Sequence, residues 1–340
     1  MKRLQHLRLW FVLLPLTFVG CVEEPTFFPN TKEGNFDALW HLIDTRYCYL
    51  NYKAINWDSL YTEYKPALDT VSDEVELFDL LAALLGELKD GHVNLYSPFD
   101  RSRYWSWFQD YPSNFSSALL YSNRYLGYHY RMVGGFHYTT FDAGRVGYMY
   151  FSSFSNTFTQ SQVSAIFKQF EACRGLILDV RDNGGGSLSL SEELASYFMD
   201  KKTLTGYIAH KTGDGHAAFS EPSPMYTVAK DSSLRWHKPV VVLTNRHCYS
   251  ATNDFVVRMK AAPRATILGD QTGGGGGLPL SNELPNGWML RFSACPMFDA
   301  AMNHTEWGVS PDVAVSLDSI DHVEGYDTLI ERAIDLLTAE

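Results

Sequence analysis

Val241-Val-Leu-Thr-Asn-Arg-His-Cys-Tyr-Ser-Ala-Thr-Asn-Asp-Phe255 starts as an apolar, β-branched run of strand type that stops at Thr244-Asn245. After a short polar turn, Ser250 opens a helix-like segment that continues through Lys260. A serine at such a strand-to-helix turn stands clear of the sheet, beside the free backbone N–H groups of the helix start. Those groups can bind a developing oxyanion, so the position suits a nucleophile. It equally suits a helix N-cap, for which serine is a preferred residue. The segment alone leaves both readings open.

A second strand–turn–helix unit lies upstream. Gly175-Leu-Ile-Leu-Asp-Val-Arg181 has the pattern of a buried strand, Asp182-Asn-Gly-Gly-Gly186 is a turn, and Ser187 to Phe198 is helix-like. Three successive glycines permit positive φ and the close approach of another group. No Gly-Lys-Ser/Thr follows them, which excludes a phosphate loop, and Ser189 stands where a dinucleotide fingerprint has its third glycine. A glycine turn with no ligand is the other reading. Gly147-Tyr-Met-Tyr-Phe151 is a further strand, and Thr157 to Ala172 reads as a helix. Alternation of this kind predicts an α/β core.

Leu178 to Gly186, Asn245 to Phe255 around Ser250-Ala251, and Leu268-Gly-Asp-Gln-Thr-Gly273 together resemble the C-terminal processing serine peptidases, in that family's order and spacing. The resemblance implies a crotonase-like, processing-peptidase α/β core preceded by a small N-terminal helical domain. It implies Ser250 as nucleophile, with oxyanion N–H groups from Gly184 or Gly185 and from Ala251. The tail-specific branch places a lysine base about two dozen residues after its serine, but here Gly273 to Gly277 occupy that place without one. Lys260 is ten residues along the same helix, roughly 15 Å from the serine, which makes it a poor substitute. The chain is more similar to the branch typified by the tricorn core protease and the repeats of interphotoreceptor retinoid-binding protein. Leu84 to Asn94, with Asp90-Gly-His92, resembles that branch's histidine motif, and Glu306-Trp-Gly-Val-Ser-Pro-Asp312 resembles its glutamate segment. The serine that precedes the tricorn histidine is replaced by Gly91. The resemblance therefore implies a Ser250–His92–Glu306 triad in place of a tetrad.

The chemistry requires these residue types. A serine hydroxyl is a weak nucleophile and needs a base, and an imidazole can take its proton and return it to a leaving amine. A carboxylate fixes the imidazole tautomer, and triads follow geometry instead of chain order. The expected geometry has His92 within about 4 Å of Ser250 and Glu306 on the other ring nitrogen. An ordinary histidine base predicts an acid limb of activity with a midpoint around 6 to 7. His92 at a helix end can instead cap carbonyls, and Glu306 can be an ordinary loop acid. His304 and His247 compete as bases and Cys248 competes as nucleophile.

Met1 to Arg8 is basic, and the apolar run Leu9 to Gly20 ends at Cys21. The run is short for a membrane span and contains Pro15, so residues 1–20 read as a signal peptide. They resemble a bacterial lipoprotein signal, which implies lipidation at Cys21 and a lipid anchor in the cell envelope; a simple secretory signal or an uncleaved anchor is the alternative. The 340-residue chain is 45% hydrophobic, as a folded protein is, and its formal charge of −11 disfavours nucleic acid and a polybasic membrane patch. Cys48, Cys173, Cys248 and Cys295 are scattered, with no metal spacing, and no metal or organic cofactor motif is present.

The chain divides into a tether over 21–34, helices over 35–96, a short aromatic-rich β segment over 97–145, the α/β core over 146–320 and a C-terminal helix over 321–340. Some 45 residues are too few for the PDZ domain that many processing peptidases insert at 97–145. Residues 72–88 read as a helix with acids in its first turn, and Gly325 to Leu337 as the closing helix. The five glycines at 273–277 read as a mobile loop over a bound peptide or as a plain turn. Leu284-Pro-Asn-Gly-Trp288 is a hairpin signal. Three functions remain open: a serine endopeptidase acting on extended or unfolded polypeptides, a catalytically silent binding lipoprotein on the same fold, and a non-peptide esterase.

Overall fold

The computed structural model describes residues 27–339; the leader over 1–20, Cys21 and the first part of the tether lie outside the described residues. Helix α1 (Lys32–Arg46) begins before the tether was expected to end, because the Thr31 side chain accepts from the Gly34 N–H and caps it. Helices α2 (Trp57–Tyr64) and α3 (Glu74–Gly86) follow, then strand β1 (Asn94–Tyr96). Asp73 caps α3 by accepting from the Glu76 N–H, while Ser72 bonds the Glu76 carboxylate. Phe36, Leu39, Leu81, Leu84 and Leu88 bury their apolar faces against Leu290 and Phe292. The helical region therefore shares its core with a strand from near the other end of the chain.

The stretch 97–145 is only partly β. It begins with the single turns α4 (Ser106–Gln109) and α5 (Ser117–Leu120). Strands β2 (Arg131–Val133) and β3 (Phe136–Phe141) come last and pair antiparallel. Strand periodicity is absent before residue 130, and aromatic packing holds that part in place.

The rest alternates β4 (Val146–Phe151), α6 (Gln160–Gln169), β5 (Gly175–Asp179), α7 (Leu188–Ser196), β6 (Thr203–Ile208), β7 (Ser223–Thr227), β8 (Val240–Thr244), α8 (Ala251–Lys260) and β9 (Ala265–Gly269). It ends with β10 (Gly277–Glu283), β11 (Met289–Asp299), β12 (Val313–Ala314), α9 (Ser319–Val323) and α10 (Thr328–Thr338). A seven-stranded sheet runs β12-β9-β8-β5-β4-β3-β2, parallel from β12 to β4. A second sheet runs β1-β11-β6-β7, with β10 also on β11 through the expected Asn286-Gly287 hairpin.

Strands β5 and β8 show why the sequence reads as a buried parallel sheet. Leu176, Leu178, Val240 and Val242 face the core with Phe167, Leu194 and Phe255, whereas Ile177, Val241 and Leu243 face the opposite core with Leu329 and Ile330. Both faces are covered, so no polar alternation appears. Among the described residues, no helix is long and apolar enough to cross a membrane.

Candidate active site

The loops that follow β5, β8 and β9 all leave the carboxyl edge of adjacent parallel strands, the edge where open α/β sheets hold ligands. Ser250 lies on the middle loop, immediately before α8, with φ 57° and ψ −120°. A non-glycine residue is held there only by its surroundings, at a cost of about 1–3 kcal/mol. Its N–H donates to the Gly274 carbonyl and its own carbonyl accepts from Asp254. The side chain makes no cap hydrogen bond, so the N-cap reading fails. Ser250 Oγ instead lies 2.9 Å from His92 Nε2.

His92 follows α3 and β1 follows it, so the helical region delivers the ring to the sheet edge. Its backbone N–H donates to Asp90 Oδ1, and its ring meets Tyr249 edge-on at 4.9 Å between centroids. Tyr249 is stacked on Trp107 at 4.2 Å. A Cβ on Gly91 would press against Trp107 Nε1 at 2.7 Å and the Tyr249 hydroxyl at 2.8 Å. The site therefore has no room for a serine before the histidine. Burial lowers the His92 pKa to about 4, with Asp90 opposing and Arg291 and Lys53 assisting. This replaces the expected 6 to 7, because the ring is buried and not half-solvated.

Glu306 does not reach the imidazole. Its Oε1 lies 2.7 Å from Lys53 Nζ, and its Oε2 accepts from the Gly276 N–H at 3.0 Å. His92 Nδ1 has no hydrogen-bond partner among the described residues. The backbone at 276–277 meets Glu306 on one residue and borders the His92 ring on the next, which keeps the two side chains apart. Burial raises the Glu306 carboxyl to about 8, with Asp90 adding to the rise and Lys53 opposing it. Lys53 also donates to the Leu88 and Lys89 carbonyls and lies 3.7 Å from Asp90. Asp90 accepts from the Tyr47 and Ser293 hydroxyls. Burial opposes its ionisation, but Lys53, His92 and the hydrogen bonds from the His92 N–H and the Ser293 hydroxyl outweigh it and hold the carboxyl below its ordinary value.

The Ala251 N–H is the first of α8, with no carbonyl one turn back and no capping side chain. Gly185 packs its α-carbon face on Ser250 and Ala251, but its N–H is taken by Asn183 Oδ1 at 3.0 Å. Gly184 and Gly186 are the members of the turn whose N–H groups donate to no described group. The 273–277 run is packed and not an open loop. Its N–H groups bond Cys248, Glu306 and the Glu306 carboxylate, and a Cβ on Gly275 would enter the Tyr249 ring.

The competitors sit elsewhere. His247 faces Asp182 at 3.4 Å and packs on Phe108; His304 stacks on Tyr52 at 4.0 Å. Cys248 donates to the Val180 carbonyl, and burial pushes its thiol up. Lys260 pairs with Asp312 at 2.6 Å. The four cysteines among the described residues are free and buried, and no group of metal-ligating side chains forms among those residues.

The profile of Peptidase family S41 matches residues 145–315, half of the chain, and that of the Tricorn protease C1 domain matches 28–86. The chain belongs to peptidase family S41. It is similar to a Parabacteroides merdae protein named as a candidate peptidase, at 48% identity and TM-score 0.87 over 91% of this chain and 97% of that one. Mature CPAF in complex with lactacystin has TM-score 0.69 at 13% identity over 90% and 97%, and the tricorn protease 0.55 at 15% over 90% and 36%; both share the fold. A carboxyl-terminal-processing protease of Picosynechococcus is 26% identical over 58% of this chain, and the chloroplastic carboxyl-terminal-processing peptidase 2 of Arabidopsis thaliana is 29% identical over 46%. The chain spans 46% and 30% of those two relatives' lengths.

Within this S41 chain, the sequence reading missed Lys53 and Asp90. Asp90 stands two residues before His92, at a spacing that lets a carboxylate accept the backbone N–H, so a local signal existed. Lys53 carried none: it lies among tyrosines and asparagines, with no periodicity to mark it as buried.

Proposed function

We propose that this chain is a serine endopeptidase of extended or unfolded polypeptides, with Ser250 as nucleophile and His92 as base. The observation that carries the reading is the 2.9 Å contact between a strained serine at a strand-to-helix turn and a buried imidazole. Ser250 Oγ attacks the peptide carbonyl as its proton passes to His92 Nε2. The carbonyl oxygen gathers negative charge and is met by the Ala251 and Gly184 N–H groups. His92 then gives the proton to the leaving amine, and a water, deprotonated by the same ring, releases the acyl group. Glu306 is a positioning residue in this scheme: with Lys53 it fixes the Gly276–Gly277 backbone that borders the ring. Among the described residues, strand β10 pairs with β11 alone and leads away from the site, so its other edge suits an extended peptide. The basic and then apolar pattern of residues 1–20 and the cysteine that follows support a reading in which this activity acts in the cell envelope, on a lipid anchor.

A fluorophosphonate probe tests the reading. It should label the native chain, and Ser250→Ala should lose all label while melting at a similar temperature. His92→Ala should lose labelling rate by orders of magnitude, and Glu306→Gln by less. An unlabelled native chain would leave the silent-binding reading, and turnover of esters without peptides would leave the esterase.

A further inference from the structure

Arg291 stands on β11, half-buried, in the same cleft of about 260 Å³ that holds Ser250. Leu188, Met225, Val257 and Leu278 make much of that cleft apolar. The neighbouring cations are matched: Lys53 by Glu306, Arg258 by Asp254, Arg181 by Asp179. Asp254, the carboxylate in the cleft lining, is already taken by Arg258 at 2.8 Å and by the Ser191 hydroxyl at 2.6 Å. Arg291 makes no hydrogen bond and no ion pair among the described residues. The cleft thus carries one uncompensated positive charge, in a chain whose net charge is −11.

A guanidinium offers a planar fork of donors that fits a carboxylate with two parallel hydrogen bonds. Partial burial in an apolar cleft strengthens such a pair relative to open water. Arg291 lines the same cleft as Ser250, and its charge acts on the His92 ring, so the guanidinium faces the side of the site where a bound peptide would lie. We infer that Arg291 receives a carboxylate of the polypeptide substrate close to the scissile bond, so that the site selects peptides that present a carboxylate there. The inference deepens the peptidase reading and rests on it. The carboxylate has two sources, an Asp or Glu side chain or the chain's own terminus.

Internally quenched peptides separate these. One set exchanges Asp or Glu for Asn or Gln on either side of the cleaved bond, and a second exchanges a free C-terminus for an amide. The native chain should prefer the acid over its amide by about tenfold or more in kcat/KM, the scale of a charge-assisted hydrogen bond. Each ratio is taken within one variant, so changes in the base cancel. Arg291→Gln should bring the ratio to near one, and Arg291→Glu should turn the preference toward lysine. A response in the first set identifies a side chain, and one in the second the terminus; either supports the inference. A native ratio near one, or a preference that survives in Arg291→Gln, overturns it. The same peptides binding to Ser250→Ala, read by fluorescence anisotropy, give the ratio without turnover. If the probe fails to label Ser250, the peptidase reading falls, and this affinity ratio still decides whether Arg291 takes a carboxylate.

Discussion

A histidine with a pKa near 4 is neutral across the whole physiological range, and that sets the pH behaviour. The charged ring is disfavoured by burial, so acid must go well below the ordinary 6.5 before the base is lost. The acid limb of kcat/KM should fall with a midpoint near 4, and a midpoint above 6 would mean that a more exposed group is the base. Lys53 offers a second test. It is buried against Glu306, whose carboxyl already lies above its unfolded value; a raised acid gives stability below the unfolded pKa and loses it as pH rises through the folded one. Lys53→Met removes the opposing charge and raises Glu306 further. The variant should lose more stability at about pH 9.5 than at pH 5, because native Glu306 ionises against Lys53 as pH rises through about 8 while the variant's carboxyl has no cation to ionise against. Urea midpoints at the two values measure this, and an equal loss at both would show that the lysine does not act through the ionisation of Glu306. Ser250 and His92 were legible because each sits in a local pattern with a chemical reason. The Lys53–Glu306 pair joins residues 253 positions apart, and only folding brings them together.

At the scale of the element, the strand–turn–helix units around β5 and β8 were legible because burial on both faces leaves unbroken apolar runs. The glycine run was the ambiguous element. Sequence offered a mobile loop or a turn, and nothing in five identical residues told what lay around them. The structure wedges them between Tyr249, Thr305 and Glu306, with Gly274 at φ +87° and Gly275 at φ +73°. A Cβ on Gly274 would overlap the Glu306 carbonyl oxygen. Gly274→Ala should therefore both destabilise the protein by more than about 1 kcal/mol and slow fluorophosphonate labelling, because the Gly274 carbonyl anchors the Ser250 N–H. Gly184→Ala, at a position with open space around its α-carbon, should leave the melting temperature nearly unchanged. If Gly274→Ala labelled at the native rate, the run would be a mere connector.

Across the whole molecule, Ser250 and His92 come from segments 158 residues apart, so their contact depends on a sheet edge held rigid from a distance. Arg181, fully buried, does part of this. Its guanidinium bonds Asp179 through Nε and Nη2, Asp327 through Nη1 at 3.0 Å and the Asn114 carbonyl. Tyr148 donates to the same Asp179. The cluster ties the end of β5, just before the glycine turn, to the start of α10, where Asp327 also caps the Leu329 and Ile330 N–H groups. The sequence marked Arg181 only as the end of a strand and Asp327 only as a residue near a closing helix, since an ion cluster spanning 146 positions leaves no periodic trace. Removing one partner of a buried pair leaves the other charge uncompensated, at about 3–5 kcal/mol, and the lost cap adds about 1 kcal/mol. Asp327→Ala should lower the urea midpoint accordingly in a single transition, because α10 packs on the core it shares with β4, β5 and β8. Its folded fraction should still take the fluorophosphonate at Ser250, for Asn183 and Asn245 hold the glycine turn and the serine loop together independently. A loss below about 1 kcal/mol would mean that Asp179 alone satisfies Arg181, and that the tie from α10 to the active edge is dispensable.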